Sequence, residues 1–157
     1  MKILEYLSYA ITVVFLLVIL SYYILLFMKR KKPAITKKFS SISVIMPAHN
    51  EEKVISDSIQ SVLDAGFNGK KQVIVVDDGS RDKTAKIVAS FKARGVRLLR
   101  TDHCGKSASI NNALKIVTGD VVVIVDADSC IHKDALREIV LEVSRDNIAG
   151  ASGVVRV

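Results

Sequence analysis

The chain has 157 residues, 50% of them apolar, two cysteines, no tryptophan and a formal net charge of +7. This length supports one domain of ordinary size, and the apolar content excludes a disordered chain. Cys104 and Cys130 have no C-x-x-C spacing and no histidine at a zinc-finger interval, which excludes a disulfide framework or a zinc finger and predicts free thiols in a reducing compartment.

The first element is an apolar helix. From Tyr6 to Met28 no residue is charged, and most are Leu, Ile, Val, Phe or Tyr. At ~1.5 Å per residue the stretch is about 34 Å long, enough to cross a ~30 Å hydrocarbon core. Tyr6 and Tyr9 at one end, and Tyr22 and Tyr23 near the other, suit the two interfaces. A signal peptide fits poorly, because the stretch is too long for an h-region and its basic residues follow it. A soluble helix of this length would not be apolar on every face.

Lys29, Arg30, Lys31, Lys32, Lys37 and Lys38 follow the span, whereas Lys2 alone precedes it and is offset by Glu5. The asymmetry predicts a single-pass anchor with the C-terminal part in the cytoplasm. Beyond Phe39, 16 basic and 15 acidic residues nearly balance. The basic pI therefore comes from a juxtamembrane patch suited to anionic lipid, and gives no reason to expect a nucleic-acid partner. Residues 1–38 thus read as anchor and basic linker, with Pro33 to Ser40 as the connecting stretch. Residues 39–157 read as the globular domain.

Within that domain strands and helices alternate. Ile42 to Met46 is a short apolar strand ended by Pro47. Lys53 to Ala65 carries a helical apolar face (Val54, Ile55, Ile59, Val62, Leu63) and Gly66 stops it. Gln72 to Val76 is a β-branched strand. Asp82 to Arg94 is a helix, with Ser80 and Asp82 as cap candidates and Gly95 as its end. Val96 to Arg100 is a third strand, and Lys106 to Val117 a third helix. Val121 to Val125 is the most apolar strand and is predicted to be central. Lys133 to Ser144 is a helix, and Ala149 to Val157 a last strand. This alternation predicts an α/β fold with a doubly wound, mostly parallel sheet, whose ligands bind beyond the C-terminal strand ends.

The polar clusters fall at those ends. Pro47-Ala48-His49-Asn50-Glu51-Glu52 follows the first strand, and Asp77-Asp78-Gly79-Ser80 the second. His103-Cys104-Gly105-Lys106-Ser107 follows the third, and Asp126-Ala127-Asp128 the fourth. So many carboxylates on one rim call for a cation. A turn starting at Asp126 would aim Asp126 and Asp128 at one ligand, and hard oxygen ligands favour Mg²⁺ or Mn²⁺.

Residues 42–157 resemble the N-terminal half of family 2 glycosyltransferases of the GT-A fold. The matching stretches are SVIMPAHNEE (43–52), VIVVDDGSRDKT (73–84), GKSASINNAL (105–114) and VVVIVDAD (121–128). The likeness is strongest to membrane synthases that use UDP-sugars, such as hyaluronan, cellulose and poly-N-acetylglucosamine synthases. It implies inverting transfer from a nucleotide-sugar to a polysaccharide or lipid-linked acceptor. Pro47, Ala48, His49, Asn50 and Glu51 would border the nucleoside. Asp78, with Asp77 supporting or sharing the role, would contact base or ribose, and Lys106 would lie near base or phosphate. Asp126 would serve ribose and metal, and Asp128 would coordinate the metal. Two departures stand out: His49 replaces a frequent tyrosine, and Cys104 a frequent glycine. The family's catalytic base and its Q-x-x-R-W type acceptor motif lie in later segments. The expectation is therefore a donor-binding half without a nameable base, paired with further sequence or a partner chain that supplies the acceptor half.

Two other classes compete. A P-loop NTPase is excluded by Arg100, which stands where G-x-x-x-x-G-K-[ST] requires glycine. A membrane-anchored sugar-nucleotide-binding module without turnover stays open, because it would carry the same donor residues.

Overall fold

The computed structural model describes residues 2–27 and 33–153, which fall into two compact units divided at Pro33/Ala34. The first unit is helix α1 (Lys2–Phe27), 26 residues with none buried. It is long and apolar enough to cross a membrane. Two of its hydroxyls bond to the helix's own backbone, Thr12 Oγ1 donating to Ser8 O at 2.9 Å and Ser21 Oγ to Val18 O at 2.8 Å. Those two hydroxyl protons are therefore satisfied within the helix, as an apolar solvent requires. Met28 and the basic run Lys29 to Lys32 lie outside the described residues.

The second unit is built on strands β1 (Ser41–Ala48), β2 (Lys70–Asp78), β3 (Val96–Thr101) and β4 (Val121–Ile124). Helices α2 (Ile55–Asp64), α3 (Thr84–Ser90), α4 (Lys106–Leu114) and α5 (Ala135–Val143) connect or follow them. The described strands form one parallel sheet in the order β3-β2-β1-β4. Strand alternation divides the core. Ile42, Val44, Met46, Val73 and Val75 pack with Ile55, Ile59 and Val62 of α2, Val88 of α3, and Leu136 and Val140 of α5. On the opposite face Ile45, Ile74 and Val76 pack with Ala113 of α4.

Several expectations need correction. The most apolar strand is not central: β4 pairs only with β1 among the described strands. Its Val122 and Ile124 are 37% and 51% exposed. The reason is that α4 packs over β1 and β2 and leaves that face of β4 uncovered. Residues 149–153 form no strand, and 154–157 lie outside the described residues. The helix expected over Asp82 to Arg94 breaks after Ser90 into a 3₁₀ turn, Lys92–Arg94, closed by Gly95 at φ 86°. The α2 and α5 helices begin two residues later than expected, and α4 ends at Leu114.

The stretch from Pro33 to Ser40 is not free. The amides of Thr36 and Lys37 both donate to Ser144 O at 3.0 Å, and Asp146 N donates to Ala34 O at 2.8 Å. At the N-terminal end of the sheet one Asp120 oxygen accepts the amides of Ser40 and Ser41, both at 3.0 Å, and their hydroxyls. The close passage of Gly119 against Ile42 and Ser43 allows this joint, since a Cβ there would lie 2.4 Å from Ser43 N.

Candidate functional site

The chain leaves β1 for β2 and β3 on one side, then crosses back to lay β4 on the other. The direction changes between β1 and β4, and a crevice opens there at the C-terminal strand ends. It forms a cleft of about 270 Å³ lined by Pro47 and Ala48 at the end of β1, His49 and Glu51 just after it, and Asp78 at the end of β2. His103, Gly105 and Lys106 close it from the β3–α4 connection, and Asp126, Ala127 and Asp128 from the end of β4. Of the residues singled out from sequence, Asn50 and Asp77 do not line it.

Those two hold the loops. Asp77 is fully buried, and accepts Ser80 N at 3.1 Å and Arg100 Nε at 3.2 Å. Asn50 adopts a left-handed conformation, φ 56°, which asparagine tolerates better than most residues. Its amide N–H donates to Ser80 Oγ, and its side-chain oxygen accepts Arg81 N at 2.8 Å. Glu51 N donates to Thr84 Oγ1 at 2.8 Å, and Glu52 N to Asp82 Oδ2 at 3.1 Å. The loops after β1 and β2 are therefore one hydrogen-bonded body. Burial raises the Asp82 carboxyl, but bonds from the Thr84 hydroxyl and amide and the Glu52 amide outweigh it and hold the group below its ordinary range.

Asp78 is the fixed point of the cleft. It is 4% exposed, and its two carboxylate oxygens gather the β3–α4 loop. Oδ1 accepts Cys104 N at 2.8 Å and Thr101 Oγ1 at 3.0 Å, and Oδ2 accepts Gly105 N at 2.8 Å. The Cys104 thiol adds a longer bond at 3.3 Å. Burial pushes this carboxyl up, but the Cys104 amide and thiol, the Gly105 amide and the Thr101 hydroxyl together hold it well below the carboxylate range. Cys104 and Cys130 are both free thiols.

The backbone carbonyl of Asp78 orients two imidazoles, with His49 Nδ1 at 2.7 Å and His103 Nδ1 at 3.2 Å. A carbonyl only accepts, so His49 carries its proton on Nδ1 and leaves Nε2 to accept from Asn50 Nδ2 at 2.9 Å. The rings stack with centroids 4.3 Å apart and planes tilted by 32°. Gly79 permits the approach: its φ is 70°, and a Cβ there would lie 2.9 Å from His103 N. The sequence places His103 in the cluster after the third strand but assigns it no donor or metal role. Its only local signal is its position two residues after β3.

Across the cleft the carboxylates are open. Asp126 and Asp128 are both exposed while Ala127 between them is buried. A turn does start at Asp126, with Ser129 N donating to Asp126 O at 3.1 Å. Lys106, the first residue of α4, places Nζ 2.6 Å from Asp126 Oδ1. Among the described residues no basic side chain pairs with Asp128, which accepts Ser129 Oγ at 3.3 Å. Nor does any group of three or more His, Cys, Asp or Glu gather there to hold a metal alone. The chemistry still fits a hard divalent ion, since one or two carboxylates with water and phosphate oxygens suffice for Mg²⁺. The attraction of a cation to Asp126 is already visible in Lys106.

Residues 43–157 match the family model described as Glycosyl transferase family 2. The chain belongs to glycosyltransferase family 2. Among its family 2 relatives, it is 33% identical to the probable glycosyltransferase YdaM of Bacillus subtilis over 73% of this chain and 29% of that protein. It is 30% identical to poly-beta-1,6-N-acetyl-D-glucosamine synthase of Staphylococcus aureus, over 67% of this chain and 26% of that protein. The chain thus spans under a third of the length of these curated relatives. In three dimensions it is similar to residues 1–349 of S. aureus TarS in complex with UDP-GlcNAc. The TM-score is 0.58 at 33% identity, over 62% of this chain and 29% of that one. It is also similar to the mannosyltransferase PcManGT from Pyrobaculum calidifontis in complex with GDP-Man and Mn²⁺. There the TM-score is 0.66 at 27% identity, over 76% of this chain and 37% of that one. The parallel sheet described above is thus GT-A-like.

Proposed function

We propose that this family 2 chain binds the nucleotide-sugar donor of an inverting glycosyltransferase at the cytoplasmic face of a membrane. The observation that carries the reading is the convergence of Asp78, Lys106, Asp126 and Asp128 on one cleft at the switch point. Asp78 and the His49–His103 wall would receive the nucleoside, with Pro47, Ala48 and Glu51 bordering it and Asn50 and Asp77 keeping the loops in shape. Lys106 would meet the phosphates, and Asp126 and Asp128 would hold Mg²⁺ or Mn²⁺. What the ion supplies when bound is charge neutralisation of the leaving nucleoside diphosphate. A UDP-sugar is the preferred donor, because a relative makes poly-N-acetylglucosamine and TarS is seen with UDP-GlcNAc. The acceptor would be a saccharide or a lipid-linked chain, and α1 with its basic flank would tether the donor unit, residues 39–157, beside it.

Calorimetry with UDP, GDP and ADP, with Mn²⁺, Mg²⁺ or chelator, tests this. UDP should bind best and should need the metal. Metal-independent binding, or a preference for ADP, would count against it. Orientation is tested with a C-terminal tag in sealed vesicles, where protection from protease added on the cytoplasmic side would overturn it.

A binding module without turnover remains the second reading, on one observation. Every carboxylate lining the cleft, Glu51, Asp78, Asp126 and Asp128, has a nucleotide or metal role in the scheme above. Asp134 pairs instead with Arg137 at 3.2 Å and does not line the cleft. A base to take the acceptor proton would then come from further sequence or a partner chain with the acceptor half. Hydrolysis or transfer of a UDP-sugar by this chain alone would reject the module reading.

A further inference from the structure

Lys106 and Asp126 form an ion pair where the proposed donor site needs both of them for something else. The ammonium lies 2.6 Å from Asp126 Oδ1, and the two side chains are 59% and 51% exposed. Asp126 thus carries a cation before any metal arrives, whereas among the described residues Asp128 has no basic partner. The pair joins two elements, because Lys106 opens α4 while Asp126 lies two residues beyond β4. Lys106 is also the basic residue that lines the cleft, so it is the group placed to meet a diphosphate there.

We propose that Lys106 acts as a competing cation, holding the Asp126 carboxylate against a divalent ion until a nucleoside diphosphate draws its ammonium away, so that metal and nucleotide load together. This rests on the donor-site reading above. Mn²⁺ alone meets Asp128 open but Asp126 already paired, and must displace an ammonium that then repels it. A diphosphate offers the ammonium a better partner, since charge-assisted bonds to phosphate are strong. Its departure frees Asp126, and the phosphate oxygens complete the coordination shell. Because linkage is reciprocal, Mn²⁺ must favour UDP by the same factor by which UDP favours Mn²⁺. Part of that coupling passes through Lys106.

The test uses the full chain in detergent and reads Mn²⁺ binding by electron paramagnetic resonance and UDP binding by calorimetry, for the wild type, Lys106→Met and Lys106→Arg. Losing the competing charge should tighten Mn²⁺ binding in the absence of nucleotide by about five-fold, the scale of an exposed ion pair plus a screened repulsion. The same substitution should weaken UDP binding in the presence of Mn²⁺. Lys106→Arg keeps the cation and should retain the weak binding of Mn²⁺ alone. The opposite signs of the two effects are diagnostic, because a lysine that merely binds phosphate would change only the second. If Lys106→Met leaves binding of Mn²⁺ alone unchanged or weaker while the wild type binds UDP with Mn²⁺, the competition is wrong and the donor site stands. If the wild type binds neither UDP nor Mn²⁺ in any arm, the donor site itself fails, and the competition with it.

Discussion

The two acidic pairs on the rim have the same chemistry at the same end of the sheet, yet opposite physical states. Asp77 and Asp78 are 0% and 4% exposed, and their oxygens are saturated by amides, hydroxyls and the Arg100 side chain. Asp126 and Asp128 face solvent, one paired with an exposed lysine and the other without a basic partner among the described residues. Carboxylates at β-strand ends can thus serve as scaffold or as open ligand, and the number of backbone amides aimed at them makes the difference. The first pair builds the cleft and keeps its shape without a ligand. The second is left open to a cation, while Asp78 offers the proposed nucleoside a fixed wall.

The largest expected effect lies on the buried pair. Asp78→Asn puts an amide where two backbone N–H groups converge, leaving at least one of them facing a donor. A loss of about 2 kcal/mol in urea unfolding is expected, the cost of an unsatisfied buried polar group. Loss of the nucleoside site would follow with or without metal. A variant as stable as the wild type would show that the Cys104 and Gly105 amides find other partners.

The sign of the pH dependence sharpens the same contrast. The Asp78 carboxyl is depressed in the folded chain, so over the acid range the unfolded chain binds more protons and stability rises with pH. The contribution of Asp78 is therefore complete above the unfolded carboxylate value, roughly pH 4, and is lost progressively as pH falls toward the depressed folded value. Unfolding measured from neutral pH down to strong acid should show this loss in the wild type and a shallower one in Asp78→Asn.

The smallest effect on stability is expected at the open pair. Asp128→Asn removes an exposed carboxylate that accepts a long bond from Ser129 Oγ, so stability should stay within about 0.5 kcal/mol. The Mn²⁺ enhancement of UDP binding should nevertheless disappear, while weak metal-free binding survives. Equal losses with and without metal would erase the distinction between the two pairs.

Much of this was legible from residue order. The β-branched runs at Val73–Val76 and Val121–Val125, separated by amphipathic helices, announce a parallel α/β sheet, and the rim clusters follow from asking what lies after each strand. The division of labour between neighbours was not legible. Asp77 and Asp78 are adjacent and identical in type, and the strand twist and the β3 loop decide which of them faces the cleft. The sequence places His103 on the rim but gives it no role, because its part depends on a contact with His49, 54 positions away in the chain.

Local order determines what can be decided within a few residues. The uncharged stretch from Tyr6 to Met28 can only be a long apolar helix, and the strands must alternate with helices because their periodicities change at Gly66, Gly95 and Gly119. Tertiary structure decided everything that depends on which segments become neighbours. It set β4 beside β1 despite the strand's apolar run, because a strand's lateral place is fixed by the crossover that delivers it. It also buried Asp78 beneath the Cys104 and Gly105 amides and brought Lys106 to Asp126. Each of these contacts joins residues 20 or more positions apart, beyond the reach of any local propensity.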